Sequence, residues 1–280
     1  MSDLPPHTGS AGFVRHYLLA LQFFTRIPIT GRLAEWVGYS PAMLRASAAH
    51  FPGVGWLVGA VAAVVYGVFI VLLPGSVFAP LLAAALSTVA TVLLTGAFHE
   101  DGLADIADGL GGSYDRDRAL EIMKDSRVGA FGALALVLAI GTKCAVLALL
   151  GDSTLTGEDA TRACVLIWLA HVLSRGAPLL LIAVLPHVGD AAGSKSKPLA
   201  ETVSTHSLWV CAAWCLGAMA LAAVELDAAT LITTLLAVVA ALVWMGRLLA
   251  RRLQGFTGDG LGATQQVCEI AFYIGAALAS

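Results

Sequence analysis

Long apolar runs dominate this chain and decide what it can fold into. Seven windows approach the length of about 20 apolar residues that a helix needs to cross a bilayer. Lipid offers no partner to backbone N–H and C=O groups, so such segments must pair these groups internally, as helices do. The sequence therefore predicts an all-α, polytopic membrane helix bundle with about seven transmembrane helices. The windows are residues 54–73, 77–98, 129–150, 163–186, 207–224, 228–246 and, less apolar than the others, 262–279.

The composition and the amino-terminal region complete this picture. Of the 280 residues, 58% are hydrophobic and only 12% are charged, whereas soluble domains carry about a quarter charged residues. We expect one integral-membrane domain over residues 1–280, with a cytoplasmic amino-terminal region at residues 1–53. Residues 17–24 are apolar but too short to span, and basic residues flank them. This pattern predicts an interfacial helix.

Basic residues lie almost entirely in alternate connections between the windows. All of the 16 lysines and arginines except Lys143, Arg162 and Arg175 precede the first window or follow the second, fourth and sixth windows. The positive-inside rule then predicts a cytoplasmic amino terminus, and an odd number of spans predicts a periplasmic carboxyl terminus. We expect a multi-pass protein of the cell inner membrane, with a flexible cytoplasmic loop at residues 187–206. The lipid bilayer is a partner, and nothing resembles a nucleic-acid-binding surface.

Four carboxylates follow the second window directly, within residues 99–108. Asp101, Asp105 and Asp108 are spaced i, i+4, i+7, so they share one face if this stretch is helical. Three like charges on one face repel unless cations neutralise them, and carboxylate oxygens hold hard divalent ions. The spacing therefore favours a metal site at the cytoplasmic membrane surface over a solvated acidic loop. Glu100 is a candidate further ligand, and His99 is a ligand, a proton carrier or an interfacial residue.

Basic side chains near this acidic stretch indicate a phosphate site. Lys124 and Arg127 follow it in the chain, and cations of this kind bind the non-bridging oxygens of phosphates. Arg175 lies near the middle of the fourth window. A charged side chain inside a membrane span is costly, so we expect Arg175 to have a functional role. Its expected partner is an anionic substrate group or a site carboxylate, the alternative being that it snorkels beside a helix break at Pro178. Lys143 is either structural or lines a cavity.

A glycine-rich motif around Asp259 precedes the last window, at residues 255–263. The glycines predict a backbone that passes close to another group, and we expect Asp259 to be a further metal ligand or a base. A simple turn is the alternative. Carboxylate-held metal, basic residues and glycine turns on one membrane face indicate phosphoryl-group chemistry, and the spacing of the residues does not define the substrate.

Several motifs, in the same order and over nearly the whole chain, give a resemblance to a known family. The chain resembles the cobalamin synthases, the adenosylcobinamide-GDP ribazoletransferases of the late vitamin B12 pathway. The ordered combination is specific, although each piece alone would be weak. The pieces are residues 23–28 (FFTRIP), 51–55 (FPGVG), 99–105 (HEDGLAD) with 108–109, 122–127 (IMKDSR) with Gly129, and 257–259 (TGD) with 261–263.

The resemblance implies an inner-membrane enzyme that requires Mg²⁺. It would join adenosylcobinamide-GDP to α-ribazole or its 5′-phosphate and release GMP. It also implies residue roles: carboxylates that hold Mg²⁺ against the pyrophosphate, cations that steady the phosphates, and an aspartate that accepts the proton of the attacking hydroxyl. Asp101, Asp105 and Asp108, with Glu100, would hold Mg²⁺. Lys124 and Arg127, with Arg175, would bind the phosphates. Asp105 or Asp259 would accept the proton.

Two other functions are weighed against this one. A CDP-alcohol phosphotransferase also uses an acidic membrane helix, but Asp105 follows Ala104 where that family has arginine. An ion-coupled transporter would carry internal repeats and mid-membrane charges, whereas the acids of this chain cluster at the edge of a span. The sequence leaves the oligomeric state open, and a homo-oligomer is one possibility.

Overall fold

The computed structural model describes residues 10–152, 160–188 and 203–279. Regular structure in these ranges is helical, without strands, which confirms the all-α prediction. The predicted loop 187–206 lies largely outside the described residues. The helices are α1 (Ser10–Phe24), α2 (Gly31–Val37), α3 (Pro41–Ser47), α4 (Phe51–Leu72), α5 (Ala79–Thr95), α6 (Phe98–Gly112), α7 (Arg116–Ile122), α8 (Ala130–Leu150), α9 (Ala160–Val184), α10 (Thr205–Ala222), α11 (Ala228–Arg252) and α12 (Gly258–Ala279).

The described residues contain five or six candidate membrane spans, whereas the sequence predicted about seven. Within the described residues, five helices are long and apolar enough to cross a membrane: α4 with the helical residues before it, α8, α9, α10 and α11. The bent pair of α5 and α6 counts as a sixth if it is one span. The chain is thus a multi-pass membrane protein, and the predicted count of seven is not confirmed.

Helix α12 shows why the seventh window is weak. It has 22 residues, so at 1.5 Å per residue it is about 33 Å long, enough to cross a bilayer. It also carries Gln265, Gln266 and Glu269, whose side chains are buried. Its main contacts are with α11, α6, α9 and α8. Protein therefore surrounds the polar side chains of this helix, and its hydropathy need not match that of a lipid-facing helix.

The second window contains a break that the apolar pattern hides. Helix α5 ends at Thr95, and Gly96 (φ 70°) and Ala97 (φ 59°) both adopt left-handed backbone conformations. The amides of these two residues donate to the carbonyl of Val92, which closes the helix end. Helix α6 then leaves α5 at 92°. If α5 crosses the membrane, α6 therefore runs along the membrane surface.

The amino-terminal region packs onto the bundle through α1. The helix predicted at residues 17–24 begins earlier, at Ser10, and its inward face buries Leu19, Ala20 and Phe24. The ring of Phe24 stacks on Phe51 at the start of α4, with the ring centroids 4.1 Å apart. This contact anchors α1 beside the first residues of α4, so residues 10–50 cover one end of the bundle.

Glycines in α4 let α9 approach it closely. A Cβ atom on Gly55 would collide with the backbone carbonyl oxygen of His171, and one on Gly59 would lie 2.7 Å from the carbonyl oxygen of Trp168. Two glycines four residues apart form the small-residue contact that holds membrane helices together. This contact places α9 and its charged residues in the centre of the bundle.

We expect Gly55→Ala to lower the free energy of unfolding by about 1–3 kcal/mol, because the new methyl group meets backbone that must move away. Thermal unfolding of the detergent-solubilised protein, followed by circular dichroism, measures the change. Gly141→Ala in α8 is the matched control, since nothing lies within 4 Å of its Cβ position. Equal stability of the two variants would contradict this view of the α4–α9 contact.

Candidate active site

The predicted acidic face is present on α6. Asp101 is exposed, Asp105 is partly buried and Asp108 is buried, so the three aspartates descend from the surface into the protein. The charges of Asp101 and Asp108 both act on Asp105. The expectation that the spacing i, i+4, i+7 brings these side chains to one face is therefore confirmed.

Asp259 joins this face from the start of α12. The Cβ position of Gly102 lies 2.8 Å from the carbonyl oxygen of Asp259, and that of Gly262 lies 3.4 Å from the Cα of His99. The two helices therefore cross at glycines and run in opposite directions. The amide of Gly260 donates to Oγ1 of Thr257 (3.0 Å), which caps α12. Asp259 thus occupies the first turn of α12, beside the acids of α6.

The four carboxylates Asp101, Asp105, Asp108 and Asp259, hereafter the acid face, disturb one another electrostatically. Burial raises the pKa of Asp105 to about 7, with further contributions from Asp259, Asp101 and Asp108 in that order. Burial and then the charge of Asp101 raise the pKa of Asp259 to about 6. Ionising all of these groups together is costly, so a bound cation would stabilise the charged form.

The donor set fits a magnesium ion that is shared with a substrate. Within the described ranges, no three histidine, cysteine or acidic side chains come together closely enough to hold a metal ion alone. Mg²⁺ typically keeps several waters and takes only one or two carboxylates, with substrate phosphates completing its shell. Asp101, Asp105 and Asp259 can supply such a partial oxygen set, because their charges act on one another.

Asp108 has a further role that the spacing does not reveal. Its Oδ2 accepts the amide of Gly129 at 2.7 Å, and its Oδ1 accepts the amide of Gly132 at 2.8 Å. A Cβ atom on either glycine would collide with this carboxylate. Asp108 therefore caps the start of α8 from a neighbouring helix, where a negative charge is favoured by the helix dipole.

The predicted phosphate-binding cations lie in the loop between α7 and α8. Lys124 and Arg127 are exposed, and Arg127 forms an ion pair with Asp125 through Nη2 and Oδ2 at 2.6 Å. Hydrogen bonds from Arg127 lower the pKa of Asp125 to about 2. The loop ends at Gly129, which donates to Asp108. Both cations are therefore near one end of the acid face, and their role in phosphate binding stays a prediction.

Glu100 points away from the acid face and into the bundle. Its Oε1 accepts Nε2 of Gln266 at 3.0 Å, and Gln266 also donates to Oε1 of Gln265 at 3.0 Å. Gln265 in turn donates to Oε2 of Glu269 at 2.7 Å. A chain of amide hydrogen bonds thus links Glu100 to Glu269. The role of Glu100 as a metal ligand stays a prediction.

Glu269 is the centre of a buried polar group that the sequence did not indicate as a site. Lys143 contacts its Oε1 at 2.5 Å, Nδ1 of His171 lies 3.3 Å from its Oε2, and Tyr273 donates to it at 3.4 Å. Lys143 is thus an ion-pair partner of Glu269. Gln265 and Glu269 stand one turn apart in a window that is apolar enough to suggest a membrane span, and this is the sequence signal for the group.

Arg175 belongs to the same buried region. Its side chain is fully enclosed, which excludes the alternative that it snorkels to the membrane surface. Nη1 donates to the carbonyl of His171 at 3.0 Å, and the guanidinium lies 5.7 Å from the ring centre of Phe51. The negative charges that act on it are those of Glu269 and Glu100. Carboxylate charges thus act on Arg175 through space, and the predicted partner of its guanidinium stays a prediction.

Comparison with known proteins identifies close relatives. The family of cobalamin-5-phosphate synthases matches residues 16–277 of this chain. The adenosylcobinamide-GDP ribazoletransferase of Polaromonas naphthalenivorans is 62% identical, over 95% of this chain and 98% of the relative. That of Polaromonas sp. strain JS666 is 64% identical over 95% and 97%, and that of Vibrio cholerae is 40% identical over 92% and 91%. No solved structure matches the chain significantly.

Because Asp108 caps α8, Asp108→Asn is expected to destabilise the protein even when no metal is bound. The amide group turns one acceptor into a donor that faces a backbone N–H, so we expect a loss of about 1–3 kcal/mol. Thermal unfolding in the presence of EDTA measures it. Asp117→Asn, at an exposed aspartate of α7, is the control and should leave stability unchanged. Wild-type stability of the Asp108 variant would argue against the cap.

The raised pKa of Asp105 predicts that the stability of the metal-free protein falls as the pH rises. The folded state favours the protonated carboxyl of Asp105. Ionisation of this group therefore lowers the free energy of unfolding as the pH rises from about 4, the ordinary pKa, through about 7. Asp105→Asn carries no charge at any pH. Its stability relative to the wild type in EDTA should therefore increase over this interval and level off above it. A constant difference between the two proteins across these pH values would contradict the shift.

Proposed function

The chain belongs to the cobalamin-5-phosphate synthase family, and we infer that it is an adenosylcobinamide-GDP ribazoletransferase. The observation that carries this conclusion is the match over residues 16–277. Relatives with this name share more than 60% of their residues with nearly the whole chain. The protein is thus an enzyme of cobalamin biosynthesis, embedded in a membrane by several helices.

The reaction moves a substituted phosphate group between two oxygens. The 3′-hydroxyl of α-ribazole, or of its 5′-phosphate, attacks the phosphorus next to cobinamide in adenosylcobinamide-GDP. A new P–O bond forms to the ribose, the P–O bond within the diphosphate breaks, and GMP leaves. The hydroxyl proton is released, and the product is adenosylcobalamin or its 5′-phosphate. No covalent enzyme intermediate is needed.

We propose that the acid face binds Mg²⁺ together with the diphosphate. One or two of Asp101, Asp105 and Asp259 would hold the ion, with phosphate oxygens and water as its other ligands, and the mutual effects of these charges support this assignment. Asp108 would contribute mainly by fixing the start of α8 next to these residues. When bound, Mg²⁺ would neutralise the phosphates and the charge that develops on the transferred group.

The side chains themselves would orient the substrates and take the proton. Of Asp105 and Asp259, the carboxylate that does not coordinate the ion would accept the proton of the attacking hydroxyl, and burial raises the pKa of both above the ordinary value. Lys124 and Arg127 would bind phosphate oxygens at the cytoplasmic edge, with Arg127 exchanging Asp125 for the substrate. Arg175 would add positive charge from within the bundle.

We also propose that the acid face is cytoplasmic and that the protein lies in the inner membrane. The basic end of α11, with Arg247, Arg251 and Arg252, precedes α12 and favours the cytoplasm. Asp259 would then be on the cytoplasmic side. If α12 crosses the membrane, surrounded by the helices that pack against it, the carboxyl terminus would be periplasmic.

Purified protein in liposomes should release GMP from adenosylcobinamide-GDP only with α-ribazole and Mg²⁺, and EDTA should stop the reaction. Asp105→Asn is expected to lower kcat by about 10²–10⁴-fold, the usual contribution of a proton acceptor. Asp117→Asn should retain the wild-type rate.

Inverted inner-membrane vesicles expose the cytoplasmic face and should use external nucleotide, whereas right-side-out vesicles should not. Failure of the wild-type protein to release GMP with either form of α-ribazole would refute the activity. Undiminished turnover of Asp105→Asn would remove Asp105 from the site.

A further inference from the structure

Three buried polar atoms near the junction of α6 and α9 have no hydrogen-bond partner. They are Nε2 of His99, Oε2 of Glu100 and Nε of Arg175. The three residues are 1%, 9% and 2% exposed, respectively. An unpaired polar atom in a protein interior costs about 1–3 kcal/mol, and native structures contain few of them. Three in one place indicate that a bound group completes their hydrogen bonds.

These atoms belong to one small region. The imidazole of His99 stacks on the ring of Phe51, with centroids 5.5 Å apart and planes 13° apart. The guanidinium of Arg175 lies 5.7 Å from the centre of the same ring. Glu100 follows His99 directly in the chain, and its charge and that of Arg175 act on each other. The ring of Phe51 thus contacts His99 and Arg175, and Glu100 lies beside His99 in the chain.

The surrounding contacts hold Glu100 and Arg175 in place. Gln266 donates to Oε1 of Glu100 at 3.0 Å, which fixes one carboxylate oxygen and leaves the other unpaired. Nη1 of Arg175 contacts both the carbonyl and Nδ1 of His171, at 3.0 Å and 2.9 Å. The unpaired atoms are therefore parts of fixed side chains, as a preorganised binding site requires.

The types of the unpaired atoms define the ligand. Nε of Arg175 can only donate, a carboxylate oxygen of Glu100 can only accept, and Nε2 of His99 can do either according to its tautomer. A phosphate cannot donate to Glu100 and is repelled by its charge. A hydroxyl group or a carboxamide both donates and accepts, so it can satisfy both kinds of atom at once.

We propose that His99, Glu100 and Arg175 form the subsite for the ribose hydroxyls of the acceptor nucleoside. This inference rests on the proposed function, whose acceptor carries a vicinal diol. Glu100 is adjacent to Asp101, the first residue of the acid face. A ribose whose 2′-hydroxyl pairs with these buried atoms would direct its neighbouring, attacking 3′-hydroxyl along α6 towards Asp101 and the diphosphate.

The test compares α-ribazole with 2′-deoxy-α-ribazole, which retains the attacking hydroxyl. In the wild-type enzyme, removal of the 2′-hydroxyl should raise the acceptor KM about tenfold or more, as expected for a lost hydrogen bond to a charged group. In Glu100→Gln, the amide oxygen can still accept from Gln266, but the other atom becomes a donor. This variant should bind α-ribazole about tenfold more weakly and should no longer distinguish the two acceptors. Glu121→Gln in α7 is exposed and should behave as the wild type.

Several outcomes would overturn the subsite. One is a wild-type enzyme that accepts both nucleosides with the same KM, a result that requires no variant. Another is an equal loss for both acceptors in Glu100→Gln, which indicates a structural role or a bound water. A third is a raised KM for adenosylcobinamide-GDP alone, which assigns the atoms to corrin carboxamides. Absence of any GMP release from the wild-type enzyme refutes the proposed function instead, so the two failures are distinct.

Discussion

A polar helix cannot lie against lipid, because lipid offers no partners to its side chains. This constraint shapes the bundle around α12. Gln265, Gln266 and Glu269 each find protein partners, and those partners come from α6, α8 and α9. The close approach of α4 to α9 at Gly55 brings α9 inward to supply some of them. The apolar helices thus surround α12. The proposed site residues lie on helices whose polar side chains lipid could not accommodate.

Helix α6 connects the two polar regions of the molecule. Gly96 and Ala97 turn the chain by 92° away from α5, so α6 presents different faces to the membrane surface and to the bundle. Asp101 and Asp105 face the surface with Asp259. Glu100, adjacent in sequence, faces Gln266 in the interior. Two neighbouring residues, Glu100 and Asp101, therefore belong to two different polar regions.

The sequence predicted the parts of this protein that depend on local patterns. Helical windows and the shared face of Asp101, Asp105 and Asp108 follow from periodicity and spacing, and the close backbone approach at Asp259 follows from the glycines around it. The break after Thr95 was not predicted, because apolar residues continue through it. The bond between Gln266 and Glu100 joins residues 166 positions apart, and the bond of Asp108 to Gly129 depends on how α6 and α8 pack. Such tertiary contacts leave no periodic signal in one sequence.

The distribution of charge distinguishes the two polar regions. Inside the bundle, two carboxylates, Glu100 and Glu269, are accompanied by two cations, Lys143 and Arg175, and the charges nearly balance. On the acid face, the groups that act on Asp105 are three further aspartates, so the negative charges add. A balanced region can stay buried without a charged ligand, and neutral hydroxyls can complete its hydrogen bonds, whereas an accumulation of like charge favours an external cation. The unbalanced charge lies beside the predicted phosphate-binding loop, and this is where the proposed cation and the anionic substrate would bind together.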